Sequence, residues 1–483
     1  MEKIAFEIEE ATISQIQQAF EEQLLTSVEL VQAYLDRIEK YDKNGPKINS
    51  VLSINPDALK IAAELDSMRG QEGQGPLYGI PVLLKDNIDT TDNMPTTAGA
   101  IVLKDNFAVE DALVAAQLRQ AGAIILGKVN MSEWAYFMTE NVPSGYSGLG
   151  GQVLNPYGVD VFEAGSVGGS SSGTGASIAS NFAVVGIGTE TSGSILSPAS
   201  ANSLVGIKPT VGLVSRTGII PIAESQDTAG PMARTVADAA ITLGILTGVD
   251  ERDPATLRSV GVGLTDYTAH LKKDGLQGAR IGVDISFLND KEPEERAIME
   301  GAIADMKAQG AIVEKVAIPV QEFQSGVLWY EFKRGINDYL SKTPDAVPVK
   351  SLADVIEFNK QESAVRMKFG QVELERSLAL SEDPADPTYL EHRATDLRTS
   401  AAEGIDVVMA EHNLDALLFQ NNRGAAMPAK AGYPSITVPA GYTSEGRPVG
   451  VTFSGLAFSE PRLIELAYAY EQATQNRVAP KFE

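Results

Sequence analysis

No cysteine occurs among the 483 residues. That excludes a disulfide framework, a thiolate metal site and a cysteine nucleophile, and it leaves the redox compartment unmarked. Histidine is nearly as scarce. The three present, His270, His392 and His412, fall in no H-E-x-x-H or other metal-ligand spacing, so no metal and no cofactor is expected. Positive charge is outnumbered, 39 Lys and Arg against 64 Asp and Glu for a net charge of -25. This argues against a nucleic-acid partner, because phosphate binding needs a local excess of bases. No apolar run approaches the roughly 18 to 20 residues that span a bilayer. The opening Met-Glu-Lys-Ile-Ala-Phe-Glu-Ile-Glu-Glu lacks the basic and apolar regions of a signal peptide. The expectation is a cytoplasmic protein without membrane contact, a monomer or homodimer.

What is present is ordinary for a globular chain, with 43% hydrophobic and 21% charged residues. Thr12 with Gln15 and Thr26 with Glu29 form capping boxes ahead of apolar positions at helical spacing, which places N-terminal helices within 1–70. From Ile80 onward, short β-branched runs alternate with helical stretches: Pro81–Leu84, Ala112–Ala121, Ala123–Leu126, Gly175–Asn181 and Ala183–Gly188. Alternation of this kind predicts an α/β fold with parallel strands and a core over 79–245. The segment 255–410 is more charged and more helical in pattern, although Ala279–Asp284 has strand character. Strand-like runs resume over 411–483, and Glu460–Thr474 reads as a final helix. One large domain with an excursion accounts for this better than two independent domains.

Chemistry concentrates in two Gly/Ser-rich turns and one lysine. Gly165–Gly173 reads Gly-Ser-Val-Gly-Gly-Ser-Ser-Ser-Gly and Gly188–Ile195 reads Gly-Thr-Glu-Thr-Ser-Gly-Ser-Ile. Lys85 closes the run Gly-Ile-Pro-Val-Leu-Leu-Lys-Asp-Asn (79–87). A serine hydroxyl is a poor nucleophile until a base takes its proton. Lysine, with an ordinary pKa of about 10.4, becomes a base near neutral pH only when burial disfavours its charged form. Ser-Ser-Lys therefore offers acyl transfer without histidine. The first turn also matches G-x-S-x-G, so an α/β-hydrolase esterase using Ser171 is the rival reading, although it needs a histidine partner.

The order of these blocks resembles the amidase signature family over nearly the whole chain. The resemblance rests on 79–87, on Gly-Gly-Ser-Ser-Ser-Gly (168–173) and on 188–195. It continues in Val-Gly-Ile-Lys-Pro-Thr-Val-Gly-Leu-Val-Ser (205–215), in 226–239 with Gln-Asp-Thr-Ala-Gly-Pro, and in Gly-Tyr-Pro-Ser-Ile-Thr-Val-Pro-Ala-Gly (432–441). It implies a single α/β domain with a central twisted mixed β-sheet covered by helices. It implies Lys85 as the base, Ser170 after a cis peptide bond as the relay, Ser194 as the nucleophile, and an oxyanion hole from the backbone N–H groups of Thr191, Ser192, Gly193 and Ser194.

Two departures bear on the branch. Many family members read Asp-Thr-Gly-Gly-Ser-Ile-Arg where this chain reads Glu-Thr-Ser-Gly-Ser-Ile-Leu (190–196). Loss of that arginine, replaced by Leu196, weakens an amidotransferase A-type reading. The blocks 130–137, 150–157 and the Glu-Thr-x-Gly-Ser turn resemble bacterial peptide amidases. The implied substrate is a small-molecule or short-peptide amide, with aryl acylamides and carbamates as alternatives. Trp134, Tyr136, Phe137 and Leu196 are the candidate substrate-binding residues.

Overall fold

The two capping boxes form in the computed structural model, which describes residues 6–288, 292–319 and 323–482. Thr12 caps α1 (Ile13–Glu21) and Thr26 caps α2 (Ser27–Arg37); in each, the N3 Gln or Glu side chain accepts from the cap N–H in return. Their apolar faces, with Ile16 and Phe20 on one and Leu30 and Tyr34 on the other, are buried in the main core.

The strands are β1 (Val51–Ile54), β2 (Pro81–Lys85), β3 (Ile124–Val129), β4 (Tyr146–Ser147), β5 (Gly151–Gln152), β6 (Val185–Glu190), β7 (Val205–Lys208), β8 (Thr228–Ala233), β9 (Arg280–Asp284), β10 (Ile312–Val316), β11 (Ala416–Gln420), β12 (Ser435–Tyr442) and β13 (Pro448–Ser454). β4 and β5 form a separate ribbon. The other eleven make one sheet in the order β1-β3-β2-β6-β8-β7-β12-β13-β11-β9-β10. Pairing is parallel in β3-β2-β6 and in β11-β9-β10 and antiparallel elsewhere. The chain is thus a single α/β domain around a large mixed sheet flanked by helices. β2 and β6 are buried along their whole length, as expected of parallel strands covered on both faces.

The alternation rule succeeds where crossovers are helical, as between β2 and β3. Purely parallel pairing fails at β8, which returns antiparallel to β6. The segment 255–410 is also less separate than its charge suggests. β9 and β10 lie within it and extend the sheet to its far edge. β10 is mostly solvent-facing, with Ile312 exposed and Val316 buried, so it lacks the apolar run that would mark it. Among the described residues, no helix is long and apolar enough to cross a membrane.

Register places the site. Val82 pairs with Val185 and Leu84 with Ile187, so Lys85 at the end of β2 emerges beside Thr189. Helix α3 (Ser172–Ala179), which follows the first serine turn, lies close on β6. A Cβ on Gly186 would stand 2.6 Å from Thr174 Cγ2, and glycine there is what lets helix and strand approach.

Candidate active site

Lys85 is fully buried. Its Nζ lies 2.7 Å from Ser170 Oγ, 2.9 Å from Thr189 Oγ1 and 3.2 Å from the Thr189 carbonyl oxygen. Burial pulls its pKa down to about 7, while the negative charges of Asp227 and Glu190 resist that fall. A neutral amine has two N–H donors and one lone pair. In the structure Nζ donates to Ser170 Oγ and to both Thr189 oxygens; in the neutral form two N–H groups can stay on the Thr189 oxygens while the lone pair faces the Ser170 hydroxyl. Asn87 Nδ2 also donates to Thr189 Oγ1, at 2.9 Å, fixing that threonine in place.

The Gly169–Ser170 peptide bond is cis. Ser170 is fully buried, and its carbonyl accepts from the Ser132 N–H at 3.1 Å. Glycine at 169 is required by space, since a Cβ there would meet the Tyr136 hydroxyl at 2.5 Å and Ser132 Oγ at 2.6 Å. The neighbouring serines of this turn are internally engaged. Ser171 Oγ donates to the Thr189 carbonyl at 3.0 Å and accepts from the Thr189 N–H at 3.2 Å; Ser172 Oγ donates to the Gly168 carbonyl at 2.6 Å.

The second turn follows β6 directly. The Glu190 carboxylate folds over it and accepts from the N–H groups of Gly193 (2.7 Å), Ile195 (2.7 Å) and Leu196 (3.0 Å). Ser194 is 6% exposed, and its carbonyl accepts from the Ser171 N–H at 3.2 Å, tying the two turns together. Ser192 is exposed. Of the four backbone donors expected for an oxyanion, Gly193 is withdrawn, because its N–H is spent on Glu190. Among the described residues no such bond occupies the N–H of Thr191, Ser192 or Ser194.

The candidate substrate residues separate. Leu196, 1% exposed, is packed inward and belongs to the turn's support. Trp134 and Phe137 are core residues, Phe137 stacking 4.7 Å from Phe332. Tyr136 remains against the catalytic turn, its hydroxyl bonded to Ser144 Oγ. The histidines lie elsewhere: His270 pairs with Glu465, His412 with Glu314, and His392 accepts from the Gly326 N–H. Among the described residues, no group of three or more His, Asp or Glu side chains could hold a metal ion.

Three acidic residues escaped the sequence reading. Glu190 was noted only as a departure from the usual aspartate. Asp227 accepts from Thr191 Oγ1 (2.5 Å) and from the N–H groups of Ile222 (2.8 Å) and Ala223 (2.9 Å), and burial raises its pKa to about 6. Glu133 accepts from the Gly148 N–H at 2.8 Å and is pushed up to about 8 by burial. The Gln-Asp-Thr-Ala-Gly-Pro block was the signal for Asp227, but no spacing rule gave it a role.

An extended mixed sheet that buries a lysine against a serine on a Gly/Ser turn defines a class of amide hydrolases. A sequence profile described as Amidase matches residues 29–464, and the chain belongs to that family. It is 40% identical to a probable amidase of Arabidopsis thaliana, over 99% of this chain and 92% of that protein. Among solved structures it is similar to an amidase family protein from Bacillus anthracis, with a TM-score of 0.93 and 43% identity over 98% of this chain and 92% of that one. The native peptide amidase from Stenotrophomonas maltophilia is similar too, with a TM-score of 0.90 and 44% identity over 98% and 99% of the two chains. The protein is an amide hydrolase.

Proposed function

We propose that this amidase hydrolyses neutral carboxamides, C-terminal peptide amides in particular, through an acyl-enzyme on Ser194. The observation that carries this is the Lys85–Ser170 contact inside a fully buried pocket, next to a serine whose hydroxyl has no partner among the described residues. Lys85, neutral in part at pH 7, takes the Ser170 proton while Ser170 Oγ takes that of Ser194. The Ser194 oxygen attacks the amide carbon, and the N–H groups of Thr191, Ser192 and Ser194 receive the developing oxyanion, each such donor being worth about 2.7–4 kcal/mol. The relay run backwards protonates the departing amine, and water then attacks the ester by the same route. No external proton source is needed.

Likeness to the peptide amidase at 44% identity favours the peptide-amide substrate. The test is ammonia release measured across C-terminally amidated dipeptides, aliphatic amides and anilides, with free glutamine as the contrast. Faster turnover of the dipeptide amides is expected; a preference for free glutamine or for anilides would overturn the substrate assignment.

A further inference from the structure

A cavity of about 700 Å³ is lined in part by Asn87, Thr189, Thr191 and Asp227, and among these Thr189 contacts Lys85. The cavity's size is within the roughly 300–1,000 Å³ usual for small-ligand sites. Seven carboxylates and three cations line it. All three cations are engaged, Arg216 with Asp253 at 2.5 Å, Arg252 with Asp250 at 3.2 Å and Lys342 with Asp338 at 2.6 Å, and of the other lining carboxylates Glu110, Asp111 and Glu224 are paired with Arg252, Arg119 and Arg334. Asp227, by contrast, accepts only from a threonine hydroxyl and two backbone N–H groups. A second observation is independent of this charge. Asn87 is 3% exposed, its Nδ2 donates to Thr189 Oγ1 at 2.9 Å and lies 3.5 Å from the Ile220 carbonyl, and its buried Oδ1 has no hydrogen-bond partner among the described residues. An orphaned buried acceptor is costly, and here it sits in the wall of the cavity.

We infer that this cavity is an acyl-side subsite that selects acyl groups carrying an ammonium or guanidinium, with Asn87 Oδ1 and the Asp227 carboxylate as the inner acceptors. The inference rests on the amide-hydrolase reading of Ser194 given above. The outer carboxylates set a negative potential that draws in a cation and repels a carboxylate, and the inner acceptors bind its N–H groups. A neutral acyl group enters without this gain, and an acidic one enters against the field.

The experiment compares kcat/KM for X-Phe-amide with X as Lys, Ala or Glu, each with a free and an acetylated N-terminus, at low and high salt. Lys is expected to exceed Glu by on the order of tenfold at low salt, the spread shrinking as salt screens it. Acetylation is expected to lower the rate of the Ala substrate. The double variant Glu110→Gln with Asp338→Asn changes two exposed lining residues outside the catalytic machinery. It is expected to narrow the Lys-to-Glu spread and to leave acetyl-Ala-Phe-amide unchanged. Equal kcat/KM across the three side chains, or a spread indifferent to salt and to the double variant, would overturn the subsite. Failure to hydrolyse any of the amides would instead overturn the parent reading.

Discussion

The two serine turns are built from the same small residues and meet through one backbone bond, yet they are finished in opposite ways. In the first, Ser170, Ser171 and Ser172 all have internal partners: Lys85, Thr189 and Gly168. In the second, the bonds go to backbone N–H groups from Glu190, and among the described residues the Ser194 hydroxyl has no partner. A saturated hydroxyl holds a fold together or passes a proton along a fixed line. An unsaturated one is free to attack. G-x-S-x-G points to Ser171 by pattern, whereas the hydrogen-bond inventory fits the proposed role of Ser194.

The comparison breaks most sharply by exchanging which hydroxyl is lost. Ser194→Ala should reduce turnover by more than a thousandfold with unfolding unchanged, since it removes the attacking oxygen and little packing. A fluorophosphonate should label Ser194; an adduct on Ser171 would reverse the assignment. Lys85→Ala should cost more in kcat than Ser170→Ala, because water can substitute for a relay hydroxyl but nothing nearby replaces the amine. Equal losses would place the base elsewhere. Glu190→Gln should come next: one amide oxygen serves fewer of three backbone N–H groups, so kcat should fall about tenfold or more while KM moves little. Ser171→Ala should show the reverse profile. It orphans the buried Thr189 N–H at a cost of about 1–3 kcal/mol, visible as a lower urea midpoint, with turnover of the folded fraction largely kept.

Much of this was legible beforehand, and the limits are physical. Capping boxes are local, so α1 and α2 could be read from four residues. Lys85, Ser170 and Ser194 were singled out by the resemblance of their blocks to the amidase signature rather than by a spacing rule, and the fold brings Lys85 and Ser170 to 2.7 Å and joins the two serine turns through the Ser171 N–H and the Ser194 carbonyl. Strand direction at β8 and the edge strand β10 were illegible, and β9 showed its strand character over 279–284 but not its place in the sheet, since pairing partners are fixed by tertiary contact and β10 has little apolar signal. Leu196 was misjudged as a substrate contact for a similar reason: sequence position next to the nucleophile gives no direction, and the bond from its N–H to Glu190 begins a helix that carries the side chain inward. Asp227 was invisible because its partners, Thr191, Ile222 and Ala223, come together only in the fold.

The smallest expected effect concerns pH and sharpens the contrast between a bonded and a free oxygen. In the proposed mechanism Lys85 acts as the neutral amine, so kcat/KM should rise with pH and level off above about 7, where burial has set the lysine. Asp227 favours the ammonium form, being the first of the two charges that oppose the burial effect. Asp227→Asn removes that charge yet keeps the shape: Oδ1 can still accept from Ile222 and Ala223, and Nδ2 can donate to a rotated Thr191 hydroxyl. The lysine pKa should therefore fall further, and the acidic limb should move to lower pH by a fraction of a unit up to about one unit, 1.36 kcal/mol per unit. The pH profile of kcat/KM, measured on a neutral amide so that substrate charge plays no part, decides the point. An unmoved limb would mean that Asp227 acts only by holding Thr191, and a limb moved to higher pH would mean that Lys85 is not the group that titrates.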